Sequence, residues 1–194
     1  KSSEYQVVEA LQTTLDEGAA MIADSVEYLH GQGRMVLVDL EHFFDGYKQN
    51  PEFSLRAIEA AVVNGASHLV LCDTNGGTLP SEVGHIVADV KAHVGNDAII
   101  GIHCHDDTGC AVANSMAAVE AGAGHVQGTL NGLGERTGNT NLTTVIPNLQ
   151  LKLGFDCIPQ AHMAQLTSVA RFVSEIANIT HNEKAPYVGN DAFT

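Results

Sequence analysis

Two histidines separated by one residue follow an apolar run in the middle of the chain. His103 and His105 come directly after residues 98–102, whose pattern is typical of the end of a buried strand. Because side chains alternate across a strand, both imidazoles project to one face. Two imidazoles there supply half of a divalent-metal site, and the alternative is a hydrogen-bonded pair of strand histidines. Asp106 and Asp107 follow at once and favour the metal.

A glycine-rich segment, Asn131–Asn139, is the second candidate for chemistry. It holds three glycines, one acid and one base, and its GxGxxxG spacing differs from the dinucleotide-binding GxGxxG. One interpretation is a tight glycine turn. The other is that Asn139 supplies a carbonyl oxygen to the cation begun by His103 and His105. Such a mixed nitrogen and oxygen set suits Mg, Mn or Zn.

Three further side chains lie in polar segments of the same kind. Thr74 follows an apolar strand and could donate its hydroxyl and backbone N–H to a substrate carboxylate, or be a structural turn residue. Glu41 could act as a base or hold a water near the metal, or be a solvated surface acid. Arg136 is a candidate substrate contact, and its alternative is an ion pair with Glu135 or Asp107.

The elements that must position these residues repeat along the chain. Apolar strands open near residues 36, 69, 99 and 125, at the spacing of a βα unit. Four such units in series predict an α/β fold with an all-parallel sheet. Each chemical segment follows a strand, as at the catalytic face of a (β/α)8 barrel. Since a whole barrel takes about 250 residues, we expect a segment of a larger barrel, or two copies that close on each other.

Apolar periodicity predicts where the elements lie. The four strands are expected at 35–40, 68–73, 98–102 and 125–130. We expect residues 41–47 and 181–194 to be loops. Helices are predicted at 4–30, 50–63, 80–90, 111–121, 142–153 and 160–179.

Composition excludes several classes of protein. The 194 residues include 9 Lys and Arg against 23 Asp and Glu, a net charge of −14, so no basic face for nucleic acid is expected. No apolar run approaches the length of a membrane span. The four cysteines lack CxxC spacing and are predicted to be reduced, buried thiols, which favours the cytoplasm. The start of the chain, without Met or a signal core, suggests a piece of a longer protein.

These motifs together resemble the acetyl-CoA-dependent condensing branch of the metal-dependent aldolase-like barrels. That family includes 2-isopropylmalate, homocitrate and citramalate synthases and 3-hydroxy-3-methylglutaryl-CoA lyase. The motifs that match are Asp73–Thr78, His103–Gly109 and Asn131–Asn139. The segments 41–48 and 186–189 are most similar to the citramalate synthases. Glu135–Thr137 stands where the lyase has its catalytic cysteine, which favours a synthase.

The resemblance implies roles for the candidate residues. His103, His105 and Asn139 would be metal ligands, Thr74 would contact the carboxylate of the keto acid, and Glu41 would be an active-site acid near the acceptor. The family's first strand also supplies an Arg-Asp pair, and a later segment supplies a catalytic His. Neither is found in these residues, so we expect the chain to be inactive alone.

The resemblance also implies a fold, a reaction and partners. Residues 1–154 would form the C-terminal half of a TIM barrel, strands five to eight, and 155–194 a helical linker to a further subdomain. The reaction would be a metal-dependent condensation of acetyl-CoA with a 2-keto acid, pyruvate giving citramalate, in branched-chain amino-acid biosynthesis in the cytoplasm. We expect a homodimer with no nucleic-acid or membrane partner. Alternatives are isopropylmalate or homocitrate synthesis, a retro-aldol lyase or carboxyltransferase, and a non-catalytic fragment.

Overall fold

The computed structural model describes residues 1–193, and the chain divides into two compact units. The first unit is Lys1–Gln127 and the second begins at Gly128. Within the described range, no helix combines the length and the apolar character needed to cross a membrane.

The first unit alternates strands with helices. A π-helical turn at Gln6–Ala10 precedes α1 (Leu15–Gly31), β1 (Leu37–Leu40) and α2 (Phe43–Gln49). They are followed by α3 (Pro51–Val63), β2 (His68–Asp73), α4 (Pro80–Val94), β3 (Ile99–Cys104), α5 (Ala111–Glu120) and β4 (His125–Gln127).

The four strands form one parallel sheet in the order β1-β2-β3-β4, which confirms the predicted α/β class. The register pairs Leu37 with His68, His68 with Ile99, and Gly101 with His125. Because consecutive strands are neighbours and parallel, their carboxyl ends lie along one edge of the sheet. Every predicted site residue of the first unit belongs to that edge.

Alternating side chains give this sheet two different faces. The helix-covered face carries Leu69, Leu71, Ile100 and Ile102, which are buried in the apolar core with residues of the helices. The opposite face, called the inner face here, contains Val70, Gly101 and His125: a Cβ added at Gly101 would lie 3.0 Å from Val70 Cγ2 and from His125 Cδ2. Four more polar side chains share the inner face: Asp39, His68, His103 and Gln127.

The segment after β1 is helical, so the predicted loop at 41–47 is wrong. It forms α2, because Phe43 and Phe44 both turn fully into the core and pack edge to face. Gly46 allows the close approach of the start of the chain, since a Cβ there would lie 2.7 Å from Ser3 Cα. A search for helical periodicity does not detect so short a helix, because contacts with distant residues stabilise it.

Three other predicted bounds in the first unit need correction. The helix expected at 4–30 is broken before Leu15, where the Thr14 hydroxyl accepts from Glu17 N and caps α1. Strand β3 runs on to Cys104, so His103 lies within the strand and not after it. Strand β4 ends at Gln127 and not at residue 130.

The second unit is mainly helical. Its elements are a 3-10 turn at Leu130–Gly132, α6 (Leu142–Pro147), a π-helical turn at Asn148–Lys152, α7 (Gln160–Met163), α8 (Leu166–Ile176) and a 3-10 turn at Asn190–Phe193. The single helices predicted at 142–153 and 160–179 are each interrupted. Leu166, Ala170, Ala185 and Val188 form a small core, and the Tyr187 hydroxyl donates to Asn148 Oδ1 at 2.6 Å.

Two predictions about the place of this chain in a larger protein stay predictions. Four consecutive parallel strands could belong to any part of an eight-stranded barrel, so the assignment to strands five to eight is not confirmed. The boundary after residue 154, between barrel and linker, also remains a prediction.

Within the described residues, none of the four cysteines forms a disulfide, as predicted, but their burial differs. Cys72 and Cys104 are buried, Cys110 is intermediate and Cys157 is exposed. Burial raises the pKa of the Cys72 and Cys104 thiols, which keeps them protonated and unreactive. The prediction of buried thiols is therefore wrong for Cys157.

Candidate active site

The two histidines of the predicted metal site lie side by side at the carboxyl end of β3. Their ring centroids are 5.3 Å apart and the ring planes are tilted by 49°. His105 is 7% exposed and His103 is half-buried. His105 is held by its backbone N–H, which donates to Asp73 O at 3.2 Å and so continues the pairing of β2 with β3. Residue alternation thus brings both imidazoles to one side, as the sequence predicted.

His103 takes part in a hydrogen-bonded chain across the inner face. Its Nδ1 lies 2.9 Å from Gln127 Oε1 on the neighbouring strand β4. Gln127 Nε2 donates to Asp39 Oδ1 on β1, also at 2.9 Å. Strands β1 and β4 are at opposite ends of the sheet order. A side-chain bond between them requires the sheet to curve, with the inner face concave.

Sequence reasoning missed Asp39 and Gln127. Each lies inside an apolar strand, where one polar residue looks like a solvated exception. The signal was available in the alternation of side chains. The register pairs Gln127 with His103, and such partners point to the same face.

Thr74 connects the first two loops of the edge. Its Oγ1 accepts from His42 N at 2.8 Å, and His42 has a left-handed backbone with φ of 58°. The bond fixes the position of the Thr74 hydroxyl at the end of β2, half-buried. A hydroxyl group can accept one hydrogen bond and donate another.

A buried carboxylate supports the turn that carries Thr74. Asp73 is 1% exposed, and its two oxygens accept from Thr78 N at 3.2 Å and from Thr78 Oγ1 at 3.0 Å. Burial raises the pKa of Asp73, while the bonds from Thr78 act in the opposite direction. The loop after β3 packs on the same turn, where the Thr108 hydroxyl donates to Gly76 O at 2.8 Å.

Glu41 lies just after β1, with half of its side chain exposed. The Lys1 ammonium donates to its carboxylate, and this hydrogen bond lowers the pKa of Glu41. The backbone carbonyl of Glu41 accepts from the Ser2 hydroxyl at 3.0 Å. In this arrangement Glu41 is an ionised carboxylate, which can accept a proton or a hydrogen bond but has no proton to donate.

In the second unit, the glycines of the segment Asn131–Asn139 make room for Asn139. A Cβ added at Gly134 would overlap the side-chain oxygen Asn139 Oδ1, and one at Gly138 would overlap Gly132 O. The backbone N–H of Asn139 donates to Gly132 O at 3.0 Å. The turn is attached to α8 through Asn131, whose Nδ2 donates to Ala170 O at 2.7 Å. The loop is therefore a cradle built around one carboxamide.

Arg136 lies at the tip of this segment and is exposed. Its guanidinium forms an ion pair with Glu135 at 3.4 Å, and its backbone is left-handed with φ of 56°. The ion pair with Glu135 is the alternative that the sequence left open. A role for Arg136 in substrate binding remains a prediction.

The residues fit a divalent cation by their chemistry. No three of the His, Cys, Asp and Glu in the described part of the chain are grouped so as to hold a metal. The predicted set has only two residues of these types, together with the amide of Asn139. Adjacent imidazoles and a carboxamide oxygen cradled by glycine are donors that borderline and hard divalent ions accept. That all three meet at one cation stays a prediction.

Comparison with known proteins gives concordant relatives. Residues 1–173 match the family model described as HMGL-like. The chain is 55% identical over 193 residues to the (R)-citramalate synthase of Aquifex aeolicus and 52% identical over 199 residues to that of Synechocystis sp.. Both alignments cover 100% of this chain but only 36% of the relative. The chain thus spans about a third of the length of these curated relatives.

A solved structure supports the fold independently. The HMG-CoA lyase of Bacillus subtilis matches with a TM-score of 0.78 at 21% identity, over 94% of this chain and 63% of that one. At this identity the match concerns the fold alone. It agrees with the parallel α/β architecture described above.

Proposed function

The chain belongs to the HMGL-like family, and from that premise we propose that the full-length protein is an acyltransferase that condenses acetyl-CoA with a 2-keto acid. The observation that carries the proposal is the paired arrangement of His103 and His105 on the carboxyl edge of a parallel sheet. Thr74 and Glu41 belong to neighbouring segments of the same edge.

Pyruvate is the proposed acceptor, so that the product is citramalate. Two relatives named (R)-citramalate synthase, at 55% and 52% identity over the whole chain, support this choice. Isopropylmalate and homocitrate synthesis use the same chemistry on larger keto acids and remain the alternatives. We propose that the protein acts in branched-chain amino-acid biosynthesis in the cytoplasm. We also propose that it is a homodimer.

His103, His105 and Asn139 would hold the divalent cation, Mg, Mn or Zn. When bound, such a cation acts as a Lewis acid toward the carbonyl of the keto acid. The imidazoles bind through neutral nitrogens, and the glycine cradle keeps the Asn139 oxygen oriented. Preorganised ligands of this kind need little rearrangement during the reaction.

Thr74 and Glu41 would contact the keto acid, Thr74 to bind its carboxylate and Glu41 to act near its carbonyl. The Thr74 hydroxyl, fixed by the amide of His42 at 2.8 Å, donates to the substrate carboxylate. Glu41, held ionised by Lys1, acts near the acceptor as a base or through a water. Arg136, on the exposed tip of the glycine segment, is a further proposed contact of the substrate. A base takes a methyl proton from the acetyl group, and the resulting enolate carbon bonds to the keto carbon while the keto oxygen takes up a proton and becomes a hydroxyl. Water then hydrolyses the thioester to a carboxylate and free CoA.

We place these residues in the C-terminal half of a TIM barrel, on strands five to eight. The polar, concave inner face of the sheet supports a place in a barrel, since closure of a barrel covers such a face with the remaining strands. Residues 155–194 would lead to a further subdomain. This chain without the other strands is expected to be inactive.

The reaction is tested on the full-length protein that contains this sequence. Incubation with acetyl-CoA and pyruvate is expected to release free CoA, less with larger keto acids, and a chelator is expected to abolish release until Mg, Mn or Zn is restored. Glu41→Gln should lower kcat by about 100-fold or more, as for loss of a general base. No CoA release with any keto acid would contradict the proposal.

The role of Asn139 is tested through its cradle. Gly134→Ala places a methyl group where the Asn139 carboxamide lies and should weaken cation binding without replacing a ligand. Gly77→Ala is the matched control, because a Cβ at Gly77 has no neighbour within 4 Å. Equal cation affinity of both variants would remove Asn139 from the ligand set.

A further inference from the structure

We propose that Asp39 and Gln127 are positioning residues that fix the tautomer and orientation of His103 for cation binding. The inference rests on the proposed function, in which His103 is a ligand. It assigns a task to two inner-face side chains that belong to none of the motifs identified in the sequence. The evidence is the hydrogen-bonded chain from Asp39 through Gln127 to His103.

The carboxylate of Asp39 determines which atom donates and which accepts in each of these hydrogen bonds. Asp39, when ionised, can only accept, so Gln127 must present its amide nitrogen to Asp39 Oδ1, at 2.9 Å. The amide oxygen of Gln127 then faces the other way, toward His103 Nδ1, also at 2.9 Å. The oxygen and nitrogen of an isolated carboxamide could exchange places at no cost in hydrogen bonds. Beside a carboxylate, only the orientation that directs the nitrogen toward the carboxylate keeps the hydrogen bond.

The oriented amide in turn selects the tautomer of His103. Because Gln127 Oε1 is an acceptor, His103 Nδ1 must carry the proton. In a neutral imidazole the other nitrogen, Nε2, is then unprotonated and can serve as the metal ligand. Donation from the second ring nitrogen to an acceptor is the usual way in which proteins orient a metal-binding histidine.

The hydrogen bonds of Asp39 and Gln127 are better suited to orient His103 than to stabilise the fold. In this chain Asp39 is exposed and Gln127 and His103 are half-buried, so none of the three side chains belongs to the apolar core. Such bonds contribute little net stability. The two hydrogen bonds instead fix the orientation of His103, since they link side chains from three strands of one sheet, β1, β3 and β4.

The test measures cation affinity on the full-length protein by competition with a chromophoric chelator, using Mn and Zn separately. Gln127→Met keeps the length of the side chain but removes the acceptor. It is expected to weaken cation affinity by about 10-fold to 100-fold, the usual effect of losing such a partner. The unfolding midpoint of the cation-free protein should stay near that of the wild type.

The rescue variant combines Asp39→Asn with Gln127→Glu. The exchange keeps the total charge and the shape of the pair. The carboxylate introduced on β4 accepts from His103 Nδ1, and the amide introduced on β1 donates to that carboxylate. Cation affinity is expected to return to the wild-type value or above it. A loss caused by packing alone would not be rescued in this way.

The outcomes are distinguishable. Wild-type affinity in Gln127→Met overturns the inference and leaves the proposed function standing. Equal weakness of Gln127→Met and of the double variant also overturns it, because Gln127 would then act through packing. Failure of the wild-type protein to bind Mn or Zn overturns the proposed function, and the inference with it.

Discussion

The two faces of the four-stranded sheet are built from the same strands but from different residues. On the helix-covered face, Leu69, Leu71, Ile100 and Ile102 are at most 1% exposed and pack in the apolar core. The inner face carries polar side chains that contact one another through hydrogen bonds and rings, namely Asp39, His68, His103, His125 and Gln127. One face therefore specifies the fold, and the other is available for chemistry.

The largest effect is expected on the helix-covered face. Leu71→Ala removes a fully buried side chain and should lower the free energy of unfolding by about 2–5 kcal/mol, since a cavity remains. Urea unfolding followed by circular dichroism measures the change. Val63→Ala, at a position that is 83% exposed, is the control and should stay close to wild type. A small effect of Leu71→Ala would mean that this face does not dominate stability.

A second prediction concerns the inner face. His103→Ala should leave the unfolding midpoint of the cation-free protein nearly unchanged but remove the stabilisation by added cation. A ligand at about 100 times its Kd stabilises by about 2.7 kcal/mol, which thermal unfolding with and without Mn or Zn detects. His85→Ala, exposed on α4, should behave as wild type in both conditions. A cation-dependent shift that survives in His103→Ala would contradict the division of roles between the faces.

The smallest effect is expected from His125 and is a dependence on pH. Its ring packs on His68 with centroids 5.4 Å apart, and its buried Nε2 has no hydrogen-bond partner among the residues that the structure describes. Burial lowers the pKa of His125 below its ordinary value of 6.5, and His68 lowers it further. As the pH falls from 6.5 toward the lower pKa of His125 in the folded state, the unfolded state takes up the proton first, so the free energy of unfolding declines.

His125→Phe should flatten that decline. The unfolding midpoint, measured from about pH 8 to about pH 5 where histidines titrate, should fall less steeply than in the wild type. His85→Gln is expected to retain the wild-type slope. An unchanged slope in His125→Phe would show that the inner face tolerates a charge at this position.

The sequence predicts most reliably what depends on neighbours along the chain. Strand β2 has the predicted bounds, His68–Asp73, because an apolar run is closed on both sides by polar turns. The parallel order of strands follows from the repeating units and is confirmed. The pairing of His103 with His105 follows from the alternation of side chains in one strand.

What the sequence could not predict depends on distant contacts. Residues 41–47 become helical because Phe43 and Phe44 reach the core and the start of the chain approaches Gly46. The partners of His103 become visible only when the sheet curves. The role of Gly134 is also hidden, since it is defined by the Asn139 side chain that occupies the space. Local patterns carry no information about such close approaches or curvature.

The bond between Asp39 and Gln127 joins residues 88 positions apart. It can close only after both outer strands have docked, so the His103 imidazole acquires its final alignment late in folding. A nascent chain that has released residues 1–105 from the ribosome would already contain both histidines but would lack Gln127, whose amide selects the tautomer of His103. Competence to capture a cation would then arrive together with completion of the sheet, and partly folded chains would bind metal poorly.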